Sequence, residues 1–343
     1  RLAVESSDFE RFIHALIEEL QGRAPPDSAI DPWLRVGNNL EKAGLELSLG
    51  FHESYADPLF GMKRAIHGVF GIVNVEETRK FRRVQRVLQN FDAVLGKKYG
   101  YEPITSHTNV VAINQLGCGG LYGYNLIPSA YILPNSEAYR RRNGAKQTYC
   151  LESLQARFDM IAKPIGMEIL HPDYRVSLKL RLFQKAVASH EGGHGVNFLF
   201  DTEYFGDLAS PIEEGRADVV GLYAHLDEGH RSATKTKDAQ LMVVNRMIDS
   251  VRRMRTGAHK PHAIGSVVQC NWLMDNKAMR FEKGKMVFEP GLFLGAYASL
   301  CDELYRISSS HDRWELETFL DNWKTPPDEL VEISGKFGHL PVD

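Results

Sequence analysis

Two short segments constrain this chain more than anything else in it: residues 190–194 read HEGGH and residues 213–218 read EEGRAD. On a helix, positions i and i+4 lie on one face. His190 and His194 so placed point two imidazoles at one spot, with Glu191 between them. Two such imidazoles can bind a zinc ion, and the intervening glutamate can reach a zinc-bound water. The plain alternative is a pair of solvated histidines on a helix surface. Glu214 follows His194 by 20 positions, on a second predicted helix. A catalytic zinc commonly takes three protein ligands and keeps one position open, and two His plus one Glu is such a set. Asp218 lies one turn beyond Glu214, where it can accept the ring N–H of a liganding imidazole and fix its tautomer. Glu213 is expected to do the same for the other histidine; the alternative for these acids is an exposed helix face. The reading is one Zn2+ per chain on His190, His194 and Glu214, with Glu191 as general base. Any fold that satisfies it must lay two helices side by side.

The motif helix carries Gly192 and Gly193. Each costs about 1 kcal/mol relative to Ala in a helix interior. Their presence predicts close approach of another backbone or of substrate.

The rest of the chain separates into a mixed N-terminal third and a helical remainder. Residues 8–21 and 76–97 have the spacing of helices, and 45–52, 69–74 and 108–115 that of strands. Residues 24–31, with Pro25 and Pro26, read as a loop, and the glycines within 117–123 as a turn. That stretch has no GK[ST] ending, so it is not a phosphate cradle; Tyr122 and Tyr124 are candidates to line a cleft. Helices are expected over 150–162, 177–200, 213–227, 237–255, 261–279, 292–307 and 312–323, with a hairpin at 280–288. This is an α+β chain in which helix predominates. Its expected division is a strand-containing lobe, 1–135, and a helical zinc-binding lobe, 136–343. The 343 residues carry a formal net charge of −3, which gives no reason to expect nucleic acid or an anionic membrane as partner. The four cysteines are far apart and form no CxxC pair, so a reducing, cytoplasmic location is the expectation.

Five stretches, in order, resemble the dipeptidyl peptidase III family of zinc peptidases. HEGGH is similar to the motif of its compact bacterial-type members, which place two residues between the glutamate and the second histidine; the larger eukaryotic enzymes place three. EEGRAD resembles the family's second zinc motif, in which the second glutamate, here Glu214, is the ligand. Residues 49–58 (LGFHESYADP) resemble its active-site strand. The resemblance implies that Glu53 receives a peptide's amino terminus and that Tyr55 stabilises the transition state. Residues 131–137 (YILPNSE) are similar to the segment that binds the substrate backbone, which assigns that role to Asn135. Residues 262–273 (HAIGSVVQCNWL) resemble the helix that carries an active-site histidine, here His262. The resemblance thus implies a dipeptidyl peptidase III-like catalytic core with a reduced N-terminal lobe, acting on a peptide or small-molecule substrate. The chain departs from the pattern at Ile132, where the large enzymes have a second amine-binding Asn. Two enzymatic readings stay open: hydrolysis of a peptide or amide, and action on a small non-peptide molecule by the same metal site. A non-catalytic binding protein is the third, and Glu191 argues against it.

Overall fold

Alternation builds the first part of the molecule. In β1 (Leu45–Gly50) the even positions Glu46 and Ser48 are buried and the leucines between them only partly so. β1 pairs antiparallel with β2 (His67–Val73), and β2 with β3 (Thr108–Gly120). β3 runs parallel to β5 (Ala145–Cys150), which pairs antiparallel with β4 (Ala130–Leu133), so the order is β1-β2-β3-β5-β4. Helices α1 (Ser6–Leu20) and α2 (Ile30–Lys42) supply Phe12, Leu16, Trp33 and Val36 to a core with Val69, Val111, Ile113 and Leu133. Trp33 Nε1 donates to the Leu47 carbonyl at 2.8 Å, which ties α2 to the edge strand. Helix α3 (Val75–Tyr99) begins on the sheet, where Phe81 stacks on Tyr149 with ring centroids 4.0 Å apart.

The computed structural model describes residues 6–25, 28–42, 44–50, 66–104, 108–120, 122, 128–133, 139–140, 143–197, 202–229 and 233–341. The chain forms two compact units: one comprises residues 1–82 and 105–155, the other residues 83–104 and 156–342. The fold is α+β with helix predominating, as expected.

The glycines at 117–120 do not make the expected turn. β3 continues through them, and Phe70, Val69, Gly68 and His67 pair with Gly117, Cys118, Gly119 and Gly120. A Cβ on Gly120 would sit 2.1 Å from the Ile66 carbonyl oxygen, so glycine here permits close strand approach. Tyr122, named above as a candidate to line a cleft, packs inward. It is 4% exposed, in the core, with its ring 4.6 Å from that of His67 and 5.7 Å from that of Tyr131. Tyr124 lies outside the described residues.

In the second unit the helix Ala209–Gly229, which carries EEGRAD, is buried on nearly every side, as a central helix must be. The motif helix Leu180–Gly193, the arginine-rich helix Ala233–Thr256, the helix Pro261–Asp275 and the helix Phe293–Ser310 pack around it. Glycine sets how close they come. A Cβ on Gly193 would lie 2.1 Å from the Ala217 carbonyl oxygen, and one on Gly221 2.2 Å from that of Ser189. The motif helix and the central helix therefore touch backbone to backbone, which is the close approach expected at Gly193. Gly192 instead faces the side chains of Gln85 and Leu88. Gly215 and Gly265 bring the helix Pro261–Asp275 equally near: a Cβ on Gly265 would meet the Gly215 Cα at 2.8 Å. The hairpin forms as expected, from β6 (Met279–Glu282) and β7 (Lys285–Phe288).

Candidate metal centre

The motif helix ends sooner than 200. Gly193 is its last helical residue and His194 is the C-cap, still in right-handed helical conformation. The i, i+4 relation survives, with the His194 N–H donating to the His190 carbonyl at 3.3 Å. With the two helices in backbone contact, three donors converge. His190 Nε2 and His194 Nε2 are 3.3 Å apart. Glu214 Oε2 lies 3.3 Å from the first and 3.6 Å from the second. A tetrahedral ion with bonds of about 2.0 Å needs its donors about 3.3 Å apart, so the triangle has the size of one face of such a site.

The outer nitrogens explain why the inner ones point at each other. His190 Nδ1 is 2.7 Å from Asp218 Oδ1, and His194 Nδ1 is 3.0 Å from Glu213 Oε1. A carboxylate accepts only, so each Nδ1 carries a proton, and in the neutral imidazole Nε2 is the nitrogen left with a lone pair. Two such lone pairs and a carboxylate oxygen facing one point repel one another unless protons or a metal cation stand among them. Glu214 Oε2 is buried and, among the described residues, makes no hydrogen bond of acceptable geometry, although imidazole nitrogens surround it. The residues present therefore fit a divalent cation such as zinc.

His262, near the start of the helix Pro261–Asp275, reaches the same carboxylate, with Nδ1 2.7 Å from Glu214 Oε2. Donor atoms of His190, Glu214 and His262 lie within 4.8 Å of one another, so two candidate triples share His190 and Glu214. His194 is the better third donor on geometry. Its side chain is 13% exposed against 44% for His262, and a carboxylate backs its other nitrogen.

The electrostatics follow from these partners. Burial would raise the Glu213 carboxyl, but Arg216 and His194 hold it down at about 2. Burial likewise opposes the ionised Asp218, yet Arg246 and His190 keep it below the ordinary carboxylate range. Burial disfavours charged His190, and Asp218 and Glu214 outweigh it, raising the imidazole to about 9. Glu214 lies well below the usual range: burial would raise it, and His262, His194 and His190 overcome that. A cation entering this set competes with protons on the histidines, as metal binding generally does.

Glu191 is partly buried beside His190, and among the described residues its side chain makes no hydrogen bond or ion pair. Glu53, Tyr55 and Asn135 lie outside the described residues. Ile132 is on β4, 8% exposed, opposite Gln147. Sequence reasoning missed the cations behind the carboxylates. Arg216 donates to Glu213 from Nε at 2.9 Å and Nη2 at 2.7 Å. Arg246 pairs with Asp218, and Arg253 Nη1 donates to its Oδ2 at 2.9 Å. Arg216 stands inside EEGRAD, so the signal was there without a role attached to it.

No family model matches the chain. Solved structures do, two of them as follows. The dipeptidyl peptidase III of Caldithrix abyssi superposes with a TM-score of 0.84 at 20% identity, over 99% of this chain and 66% of that one. Dipeptidyl-peptidase III from Corallococcus sp. strain EGB gives 0.79 at 21% identity, over 99% and 64%. The chain therefore has the dipeptidyl peptidase III fold, which agrees with the resemblance read from its motifs. Among curated proteins, Nudix hydrolase 3 of Arabidopsis thaliana is 24% identical over 342 residues, or 94% of this chain and 42% of that protein. The chain thus spans less than half the length of that relative and about two thirds of the solved structures. Among the described residues no helix is long and apolar enough to cross a membrane.

Proposed function

We propose that this chain is a zinc-dependent hydrolase of peptide or amide bonds, holding one Zn2+ on His190, His194 and Glu214. The observation that carries the reading is the convergence of two imidazole lone pairs and one carboxylate oxygen at tetrahedral spacing. The fold shared with dipeptidyl peptidase III structures supports it.

When bound, zinc polarises the scissile carbonyl and lowers the pKa of a water toward neutrality. Glu191 takes the proton from the attacking water and delivers it to the leaving amine. Asp218 and Glu213 keep the two imidazoles in the tautomer that offers Nε2. His262, beside Glu214, donates to the developing oxyanion; Tyr55 shares this role by resemblance. Glu53 and Asn135, also by resemblance, hold the amino end and backbone of a peptide. The buried apolar Ile132 cannot supply the side-chain amide that the large enzymes place there. It favours a second reading, in which the same metal site acts on a smaller substrate without a free amino terminus.

Glu191→Gln tests the mechanism. The variant should keep about one zinc per chain and lose on the order of 10²–10⁴ in turnover of amide substrates. Turnover close to that of the parent would remove Glu191 from the mechanism.

A further inference from the structure

Both candidate metal histidines are supported in the same way, three residues deep. Behind His194 stands Glu213, and behind Glu213 stands Arg216. Arg216 grips the carboxylate with two nitrogens, at 2.9 and 2.7 Å. Its remaining nitrogen, Nη1, donates to the carbonyls of Gly193 at 3.1 Å and Val196 at 3.2 Å. These carbonyls flank His194 in the chain, at the frayed end of the motif helix, where such groups otherwise lack partners. One guanidinium thus fixes both the backbone that carries His194 and the acid that orients its ring.

Behind His190 stands Asp218, 1% exposed, and behind Asp218 stand two guanidiniums. Arg246 pairs with the same oxygen that faces His190. Arg253 Nη1 donates to the other oxygen at 2.9 Å, and Gln269 Nε2 adds a contact at 3.2 Å. Arg253 Nη1 also lies 3.0 Å from Ser266 Oγ and 3.3 Å from the His262 carbonyl, which fixes the helix that carries His262. Asp249 holds both arginines from behind, 3.0 Å from Arg246 Nη1 and 2.9 Å from Arg253 Nε. Arg252 Nε donates to it as well, at 2.5 Å.

We propose that Arg216, Arg246 and Arg253 are positioning residues that set how tightly His190 and His194 hold the metal; this rests on the zinc reading above. A histidine holds a metal firmly when a hydrogen bond on its other nitrogen keeps the ring aimed at the ion. Asp218 and Glu213 make those bonds. Planar guanidiniums bind carboxylates by paired hydrogen bonds and so fix where the accepting oxygens stand. Arg216 also fixes the backbone on either side of His194. Without the arginines the acids, and with them the rings, are free to turn away from the metal.

Zinc affinity, measured by competition with a chelator on protein shown to be folded, separates this from a purely structural role. Loss of partners behind metal ligands typically costs 10–100-fold in affinity, and Arg216→Met and Arg253→Met are expected to fall in that range. Substitution by cobalt(II) should give a visible absorption spectrum that shifts in the same variants. Arg216→Lys, which keeps the charge but not the two-pronged grip, should lose less, and it replaces Arg216→Met if that variant does not fold. Because Arg216 acts in part through Glu213, Glu213→Gln with Arg216→Met should weaken zinc binding by less than the sum of the two single losses. Zinc affinity and cobalt spectra unchanged in folded variants, or fully additive losses, would overturn the proposal. Failure of the parent protein itself to bind zinc would overturn the function proposed above instead.

Discussion

Among the described residues each unit has a buried ionic cluster, and the two differ in whether the acid is kept ionised. In the first unit Glu46 of β1 pairs with Lys146 of β5, both fully buried. Among the described residues no hydrogen bond of good geometry supplements that ammonium on either Glu46 oxygen. Burial prevails, and the Glu46 carboxyl is pushed up to about 7 despite Lys146. In the second unit Asp218 is as deep, while about a quarter of the Glu213 side chain is exposed; both are held below the ordinary range, Glu213 at about 2. The difference is the number and shape of the partners. One ammonium is a single point charge, whereas Glu213 has a two-pronged guanidinium plus an imidazole, and Asp218 has two guanidiniums, an imidazole and an amide. Depth alone does not decide whether a buried acid is charged; the hydrogen bonds that replace water do.

The comparison breaks most visibly at Asp218. Asp218→Asn leaves Arg246 and Arg253 buried with only Asp249 as counter-ion, and should destabilise by about 3–5 kcal/mol in urea unfolding. A loss below about 1 kcal/mol would show that the guanidiniums do not depend on that acid.

Lys146→Met should cost less, about 1–3 kcal/mol, because Glu46 can take a proton where Arg246 cannot give one up. The pH dependence sharpens this. The folded value of Glu46, about 7, stands above its ordinary 4.5, so between the two the folded state binds more protons than the unfolded. The contribution is complete below pH 4.5 and is lost as pH rises through 7. It amounts to at most about 3 kcal/mol. Urea midpoints at pH 5 and pH 8 should show that slope in the parent protein and not in Glu46→Gln. An equal slope in both would assign it to other groups.

The smallest effect is expected from removing both members of the pair. Glu46→Met with Lys146→Met replaces two buried charges by apolar chains of similar volume, a change that is often neutral or stabilising. A destabilisation close to the sum of the single variants would mean that the pair does more than compensate itself.

The same contrast governs what the sequence made legible. HEGGH and EEGRAD were readable because helical geometry turns a spacing into a direction. Arg246, Asp249 and Arg253 fall at i, i+3 and i+7 on one helix, a pattern that ordinarily marks a solvated face; only packing against the central helix buries it. β5 was missed because its residues, Ala145–Cys150, include Lys146, Gln147 and Thr148, yet all six are buried between its neighbours β3 and β4. The loop read over residues 24–31 from Pro25 and Pro26 overlaps the start of α2 at Ile30, and Pro32 stands in that first helical turn, where proline is tolerated. The run of glycines in β3 signalled a turn, and only the partner strand shows that it permits close approach.

Diffraction at the zinc absorption edge, on crystals of the purified protein, tests the central claim directly. The account predicts one anomalous peak per chain, about 2.0–2.2 Å from His190 Nε2, His194 Nε2 and a Glu214 oxygen. No peak there, or a peak bonded to His262 in place of His194, would contradict it.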